Sequence, residues 1–89
     1  MKVELFGLAR ALAGTATVEI AIDEPTNVGS FIRALLGAYP ILEGSVIDGE
    51  RAAFIEPNLL LLDGRRAPLA DETFESRDKP CVLFLASGG

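Results

Sequence analysis

The 89-residue sequence contains no histidine and no tryptophan, and its only cysteine is Cys81. A single cysteine excludes an internal disulfide, which agrees with a reducing compartment. Because histidine is absent, the usual ligand sets for zinc and iron are missing, so we expect no metal site and no bound cofactor. Cys81 lies in an apolar stretch and is interpreted as a small buried hydrophobe rather than as a sulfur acceptor.

Basic residues are also scarce. Eight lysines and arginines against 13 acidic residues give a net charge of -5, whereas nucleic-acid binders need clustered positive charge. No apolar run is long enough to span a bilayer, and Glu4 and Arg10 interrupt the only stretch that is similar to a signal peptide. We therefore expect a cytoplasmic protein that binds neither nucleic acid nor membranes.

The first 22 residues predict two β-strands, because KVELFGL (residues 2–8) and TVEIAI (residues 17–22) both alternate between apolar and polar side chains. The connection ARALAGTA is predicted as a short loop with Gly14 as its turn residue. In the first strand, Val3 and Leu5 form the natural core-facing set, which places Phe6 on the outer face of the sheet.

One main helix is predicted over NVGSFIRALLGAYP, residues 27–40. Its apolar residues recur with the spacing of one helical face: Val28, Phe31, Ile32, Leu35, Leu36 and Tyr39. Asn27 can cap the first turn, and Gly37 and Pro40 mark the far end. We expect this face to pack on the sheet.

The second half of the chain predicts three further strands. AAFIE and LLLLDG are separated by Pro57, which rules out one continuous central strand, and Asp63–Gly64 is a turn signal. APLADETFESRDK, residues 67–79, is polar and predicted irregular. CVLFLA is apolar throughout, as expected for a strand in the middle of a sheet. The order β-β-α-β-β-β indicates an α+β fold, with a single domain over residues 1–89.

This order, followed by a terminal Gly88–Gly89, resembles the ubiquitin-like sulfur-carrier family, most closely the small subunit of molybdopterin synthase. The resemblance is carried by VELFGLARALAGTATVEIAI, PTNVGSFIRALLGAYPIL and VLFLASGG. It implies a β-grasp fold, in which a mixed sheet of four to five strands is crossed by one main helix. Residues 83–89 would form the end of the last strand and a flexible projecting tail. The family often has two prolines before the diglycine, where this chain has Leu-Ala-Ser.

The family's chemistry implies roles for the tail. An E1-like adenylating enzyme would use ATP to activate Gly89, and a persulfide donor would convert it to a thiocarboxylate. Ser87 and Gly88 would thread through a narrow passage into the larger catalytic subunit of molybdopterin synthase, where the tail donates sulfur to the pterin dithiolene. Glycine suits this role because it passes where a Cβ would clash. The chain itself would be a non-catalytic small subunit and sulfur-donor substrate.

Four side chains are candidates for contact with these partners. Phe6 and Phe84 are aromatic anchors for a docking face, although Phe84 could also belong to the core. Arg65 and Arg66 follow the Asp63–Gly64 turn and are candidates for contact with an acidic partner, although a solvated hairpin is the commoner explanation for such a pair.

Three alternatives remain open from the sequence. The chain could be a protein modifier whose Gly89 becomes joined to lysines of target proteins. It could carry sulfur for thiamine synthesis or tRNA thiolation. It could also be a plain interaction module with an inert tail.

Overall fold

The computed structural model describes residues 1–85. In chain order its elements are β1 (Lys2–Leu5), α1 (Gly7–Ala13), β2 (Thr17–Glu19), β3 (Thr26–Asn27), α2 (Val28–Ala38), a 3-10 helix (Pro40–Leu42), β4 (Ile47–Asp48), β5 (Ala53–Phe54), β6 (Asn58–Leu62), β7 (Thr73–Phe74), a second 3-10 helix (Ser76–Asp78) and β8 (Pro80–Phe84). The longest helix has 11 residues, and none within residues 1–85 could cross a bilayer.

A four-stranded mixed sheet in the order β2-β1-β8-β6 organises the fold. The pair β1–β8 is parallel, whereas β1–β2 and β6–β8 are antiparallel. Strand β8 lies inside the sheet, with β1 and β6 as its neighbours, and its apolar sequence places apolar side chains on both faces of the sheet. Two short pairs, β3–β7 and β4–β5, lie outside this sheet. The architecture is a ubiquitin-like β-grasp, and the predicted α+β class is confirmed.

The main helix α2 packs on the sheet with the predicted face. Its residues Phe31, Ile32 and Leu35 are fully buried in one core cluster with Val3 and Leu5 of β1. The side chain of Asn27 accepts a hydrogen bond from the backbone N–H of Ser30 at 2.9 Å, so the predicted N-cap is confirmed. Burying these side chains at about 1.5–3 kcal/mol each holds the helix against the sheet.

The predicted strand over residues 2–8 is wrong beyond Leu5, because residues 7–13 form helix α1 and not part of a strand and a loop. Gly7 has a φ of +62°, which ends the extended conformation. The following residues, LARALA, have high helix propensity. Gly14 adopts a left-handed φ of 76° and its N–H donates to the carbonyl of Arg10 at 2.9 Å, so its role as turn residue is confirmed.

The segment over residues 67–79 is more ordered than its composition predicts. Phe74 of β7 is buried and meets Phe31 of α2 edge to face, with ring centroids 5.5 Å apart. The register of β3 and β7 pairs Thr26 with Phe74. A single aromatic residue therefore anchors an otherwise polar segment to the core. The Asp63–Gly64 turn is confirmed, with φ angles of 58° and 66°, and Pro57 does separate β5 from β6.

Candidate functional site

The end of β8 is the place from which the C-terminal residues leave the domain. Phe84 is the last strand residue, and the N–H of Leu85 donates to the carbonyl of Pro57 at 3.0 Å. Ser87, Gly88 and Gly89 lie outside the described residues, so their predicted roles stay predictions.

An apolar patch covers the outer face of the sheet beside this end. Val3, Leu5 and Val82 are fully buried on the core side, so alternate residues of the same strands face outward. The register pairs Leu59 with Leu83 and Leu61 with Cys81. Together with Phe6 these residues are called the outer patch: Phe6, Leu59, Leu61, Cys81 and Leu83.

The two aromatic candidates are both exposed, Phe6 to 40% and Phe84 to 42%. Phe6 follows β1, and its N–H donates to the carbonyl of Val82 at 2.9 Å. Phe84 lies on the same face of β8 as the buried Val82, but it is the last residue of the strand and contacts Gly7. Cys81 and Leu83, which alternate with the buried Val82, face outward. Contact of Phe6 and Phe84 with a partner stays a prediction.

A shallow groove on the outer face is lined by both apolar and charged residues. The residues that line the groove are Glu4, Phe6, Asp63, Gly64, Lys79, Cys81 and Leu83. Only 6% of Cys81 is exposed, and burial raises the pKa of its thiol, so the thiolate needed for nucleophilic chemistry is disfavoured. Cys81 is a buried small hydrophobe, as predicted.

Arg66 forms an intramolecular ion pair that the sequence analysis missed. Its guanidinium donates to both carboxylate oxygens of Glu72, at 2.8 and 2.5 Å. This bidentate contact, with a further hydrogen bond from the N–H of Leu69, lowers the pKa of Glu72 to about 2. Arg65 is exposed in the preceding turn. Of these two arginines, only Arg66 forms an ion pair within residues 1–85. A partner contact for either arginine stays a prediction.

Leu59 and Leu61 of the outer patch were also missed, although the sequence contains a signal for them. Leu59 to Leu62 are four consecutive leucines, and only two of four successive strand residues can face one side of a sheet. Leu60 and Leu62 are buried in the core. Leu59 and Leu61 must therefore face outward, next to Leu83 and Cys81.

Sequence comparison finds a relative of the same length. The chain is 33% identical over 89 residues to small archaeal modifier protein 1 of Haloferax volcanii, and the match covers all of both proteins. No model of a known protein family matches the chain.

Structural comparison gives the same relative. Two crystal structures of small archaeal modifier protein 1 from Haloferax volcanii superpose with TM-scores of 0.74 and 0.77, each at 28% identity. The first superposition covers 100% of this chain and 98% of the crystallised chain. The second covers 97% of both chains. The likeness therefore extends over the whole fold, including the sheet and the end of β8.

Proposed function

The chain belongs to the family of small archaeal modifier protein 1, whose members have a ubiquitin-like β-grasp fold, and on that premise we propose that it works through an activated C-terminal glycine. In this proposal Gly89 is joined to lysines of target proteins, as in a ubiquitin-like modifier, and the same activated carboxylate also serves as a sulfur carrier. The observation that carries the proposal is that β8, the last described strand, lies inside the sheet and ends beside the outer patch.

Activation requires a partner. The Gly89 carboxylate attacks the α-phosphorus of ATP in an E1-like adenylating enzyme, pyrophosphate leaves, and an acyl-adenylate results. This chain supplies no histidine, and its one cysteine is buried, so it suits the role of substrate and the partner supplies the catalytic groups. The half-exposed aromatic and leucine side chains of the outer patch suit a surface that docks on such a partner.

Two nucleophiles can then displace AMP from the carbonyl carbon of Gly89. A lysine amine gives an isopeptide bond and releases a proton. A donor persulfide gives an acyl disulfide, which a second thiol cleaves to a thiocarboxylate while a disulfide forms between donor and thiol. The full-length match to a protein named as a modifier favours the first outcome.

The modifier activity is tested by the peptide left on target lysines. Trypsin does not cleave Lys79–Pro80, so digestion of a conjugate should leave DKPCVLFLASGG, residues 78–89, on the modified lysine. In Ser87→Arg, which adds a cleavage site, the remnant should shrink to Gly-Gly. A chain lacking Gly89 should give neither remnant, while its fold should be unchanged because an exposed terminal residue contributes little to stability. Conjugates formed by the truncated chain would rule out the glycine mechanism.

Sulfur transfer to a pterin dithiolene, with the larger catalytic subunit of molybdopterin synthase as partner, is our second proposal. It is favoured by the terminal VLFLASGG, which is similar to the sulfur carriers. Intact mass analysis of protein from the native host should detect the exchange of one C-terminal oxygen for sulfur, and the larger subunit should co-purify. If the native protein carries neither sulfur nor conjugates, the tail is inert and the interaction-module alternative stands.

A further inference from the structure

Gly7 and Phe84 meet where the central strand ends. Gly7 begins α1 with a φ of +62°, a left-handed conformation that residues with side chains rarely adopt. A Cβ placed on Gly7 would overlap the Cβ of Phe84 and would lie 3.5 Å from its Cα. Both the backbone angle and the space beside Phe84 therefore require glycine at this position.

Gly14, at the other end of α1, serves as a comparison because it shares the backbone angle of Gly7 but not the close contact. Its φ is +76°, close to that of Gly7, but no heavy atom lies within 4 Å of the position that a Cβ would take. Alanine at either glycine would strain the backbone to a similar degree. Only alanine at Gly7 would also displace Phe84.

Besides the pairing of Phe84 with Asn58 of β6, three contacts hold the end of β8. The N–H of Phe6 donates to Val82 at 2.9 Å, and the N–H of Leu85 donates to Pro57 at 3.0 Å. The third is the close approach of Phe84 to Gly7, which exists because Gly7 has no side chain. Phe84 is the last residue of β8, so these contacts set the direction in which the chain continues toward residues 86–89.

We propose that Gly7 is a positioning residue for activation of the C-terminus, because its contact with Phe84 aims the chain at the active centre of the adenylating enzyme. This inference rests on the proposed function. It assigns to Gly7 a role that acts through Phe84 and not through contact with ATP or Gly89. Since displacement of a reacting group by about 1 Å can cost a factor of about 100 in rate, a small shift at Phe84 is sufficient to slow the reaction.

The test compares Gly7→Ala with Gly14→Ala in ATP–pyrophosphate exchange, using the purified adenylating enzyme of the same organism. In Gly7→Ala the kcat for exchange should fall by about tenfold or more, because the carboxylate no longer reaches the correct position. KM for the chain should change less than kcat, because Phe6 and the leucines of the outer patch are unchanged and only Phe84 is displaced. Gly14→Ala should leave both constants near those of the native sequence. Equal kinetics for the two variants would overturn the proposal.

Amide hydrogen exchange gives a second readout that needs no partner. The Leu85 amide should exchange about tenfold faster in Gly7→Ala but not in Gly14→Ala, since only the former loosens the end of β8. The Leu62 amide, which donates to the carbonyl of Arg66 at 2.7 Å, should be unchanged in both. If the native chain supports no pyrophosphate exchange, the proposed function fails and the positioning role fails with it. If the native chain is active and the Leu85 amide of Gly7→Ala does not respond, only the positioning role fails.

A further pair of variants keeps the proposal testable if Gly7→Ala does not fold. Phe84→Gly removes the Cβ that a side chain at position 7 would overlap. The double variant Gly7→Ala with Phe84→Gly should therefore have the same kcat as Phe84→Gly alone, because the contact is already absent. Independent losses that multiply in the double variant would show that the two residues do not act through each other.

Discussion

Replacing Leu35 with alanine tests the assignment of the α2 face to the core. Leu35 is fully buried within the main cluster, so alanine removes three carbons that have no access to water. Their transfer alone is worth about 2.5 kcal/mol at ~0.8 kcal/mol per carbon. The residual cavity adds to this, so we expect a loss of about 2–5 kcal/mol in the free energy of unfolding. That is a large fraction of the roughly 5–15 kcal/mol typical of small domains.

The measurement is urea unfolding followed by circular dichroism, with the slope of free energy against denaturant compared between variants. Leu69→Ala is the matched control, because the same carbons are removed from a side chain that is 69% exposed. It should change stability by less than about 0.5 kcal/mol. A loss below about 1 kcal/mol for Leu35→Ala, or equal losses for the two variants, would show that α2 is not packed as described.

The remaining predictions concern the outer patch, the tail and pH. Phe6→Asp should keep the fold but weaken binding to the adenylating enzyme by about tenfold or more, as expected for an aromatic anchor; an unfolded variant would contradict the outward orientation of Phe6. Gly88→Val should fold normally and slow the reactions of Gly89 more than Gly88→Ala does, because a β-branched side chain restricts both space and backbone angles; normal turnover would refute threading through a narrow passage. The Glu72 pKa is lowered from 4.5 to about 2 in the folded chain, so its contribution to stability is present above pH 4.5 and is lost as the pH falls toward 2. Thermal melts of the native chain and Glu72→Gln should therefore differ at pH 6 and converge as the pH falls through about 2; a difference as large at pH 2 as at pH 6 would refute the role of this carboxylate.

The parts of the fold that could be predicted are those with strong periodicity. Helix α2 has apolar residues at helical spacing and an Asn27 cap, and both signals are local. Strand β8 is apolar throughout, a pattern typical of a strand inside a sheet, and the terminal Gly-Gly predicted a functional tail after it. These features identified the β-grasp order without any knowledge of contacts.

The parts that could not be predicted depend on tertiary contacts. Helix α1 has only seven residues, too few for periodicity to distinguish it from a loop. Phe74 is one aromatic residue in a polar segment, and its burial depends on Phe31, which lies far away in the sequence. The pairing of Arg66 with Glu72 spans a loop with no regular spacing. The contact of Gly7 with Phe84 likewise joins the two ends of the chain and leaves no local pattern.

The length of the chain after β8 limits how far Gly89 can lie from the outer patch. Four residues follow Leu85, and a fully extended chain advances at most about 3.6 Å per residue, so the Gly89 carboxylate can lie no more than roughly 14 Å beyond Leu85. A partner that reacts with Gly89 must therefore bind the domain close to the end of β8. Leu83 of the outer patch is two residues before Leu85, and its cross-strand neighbour is Leu59. The proposed docking surface and the limit on the reach of Gly89 therefore involve the same short stretch of β8.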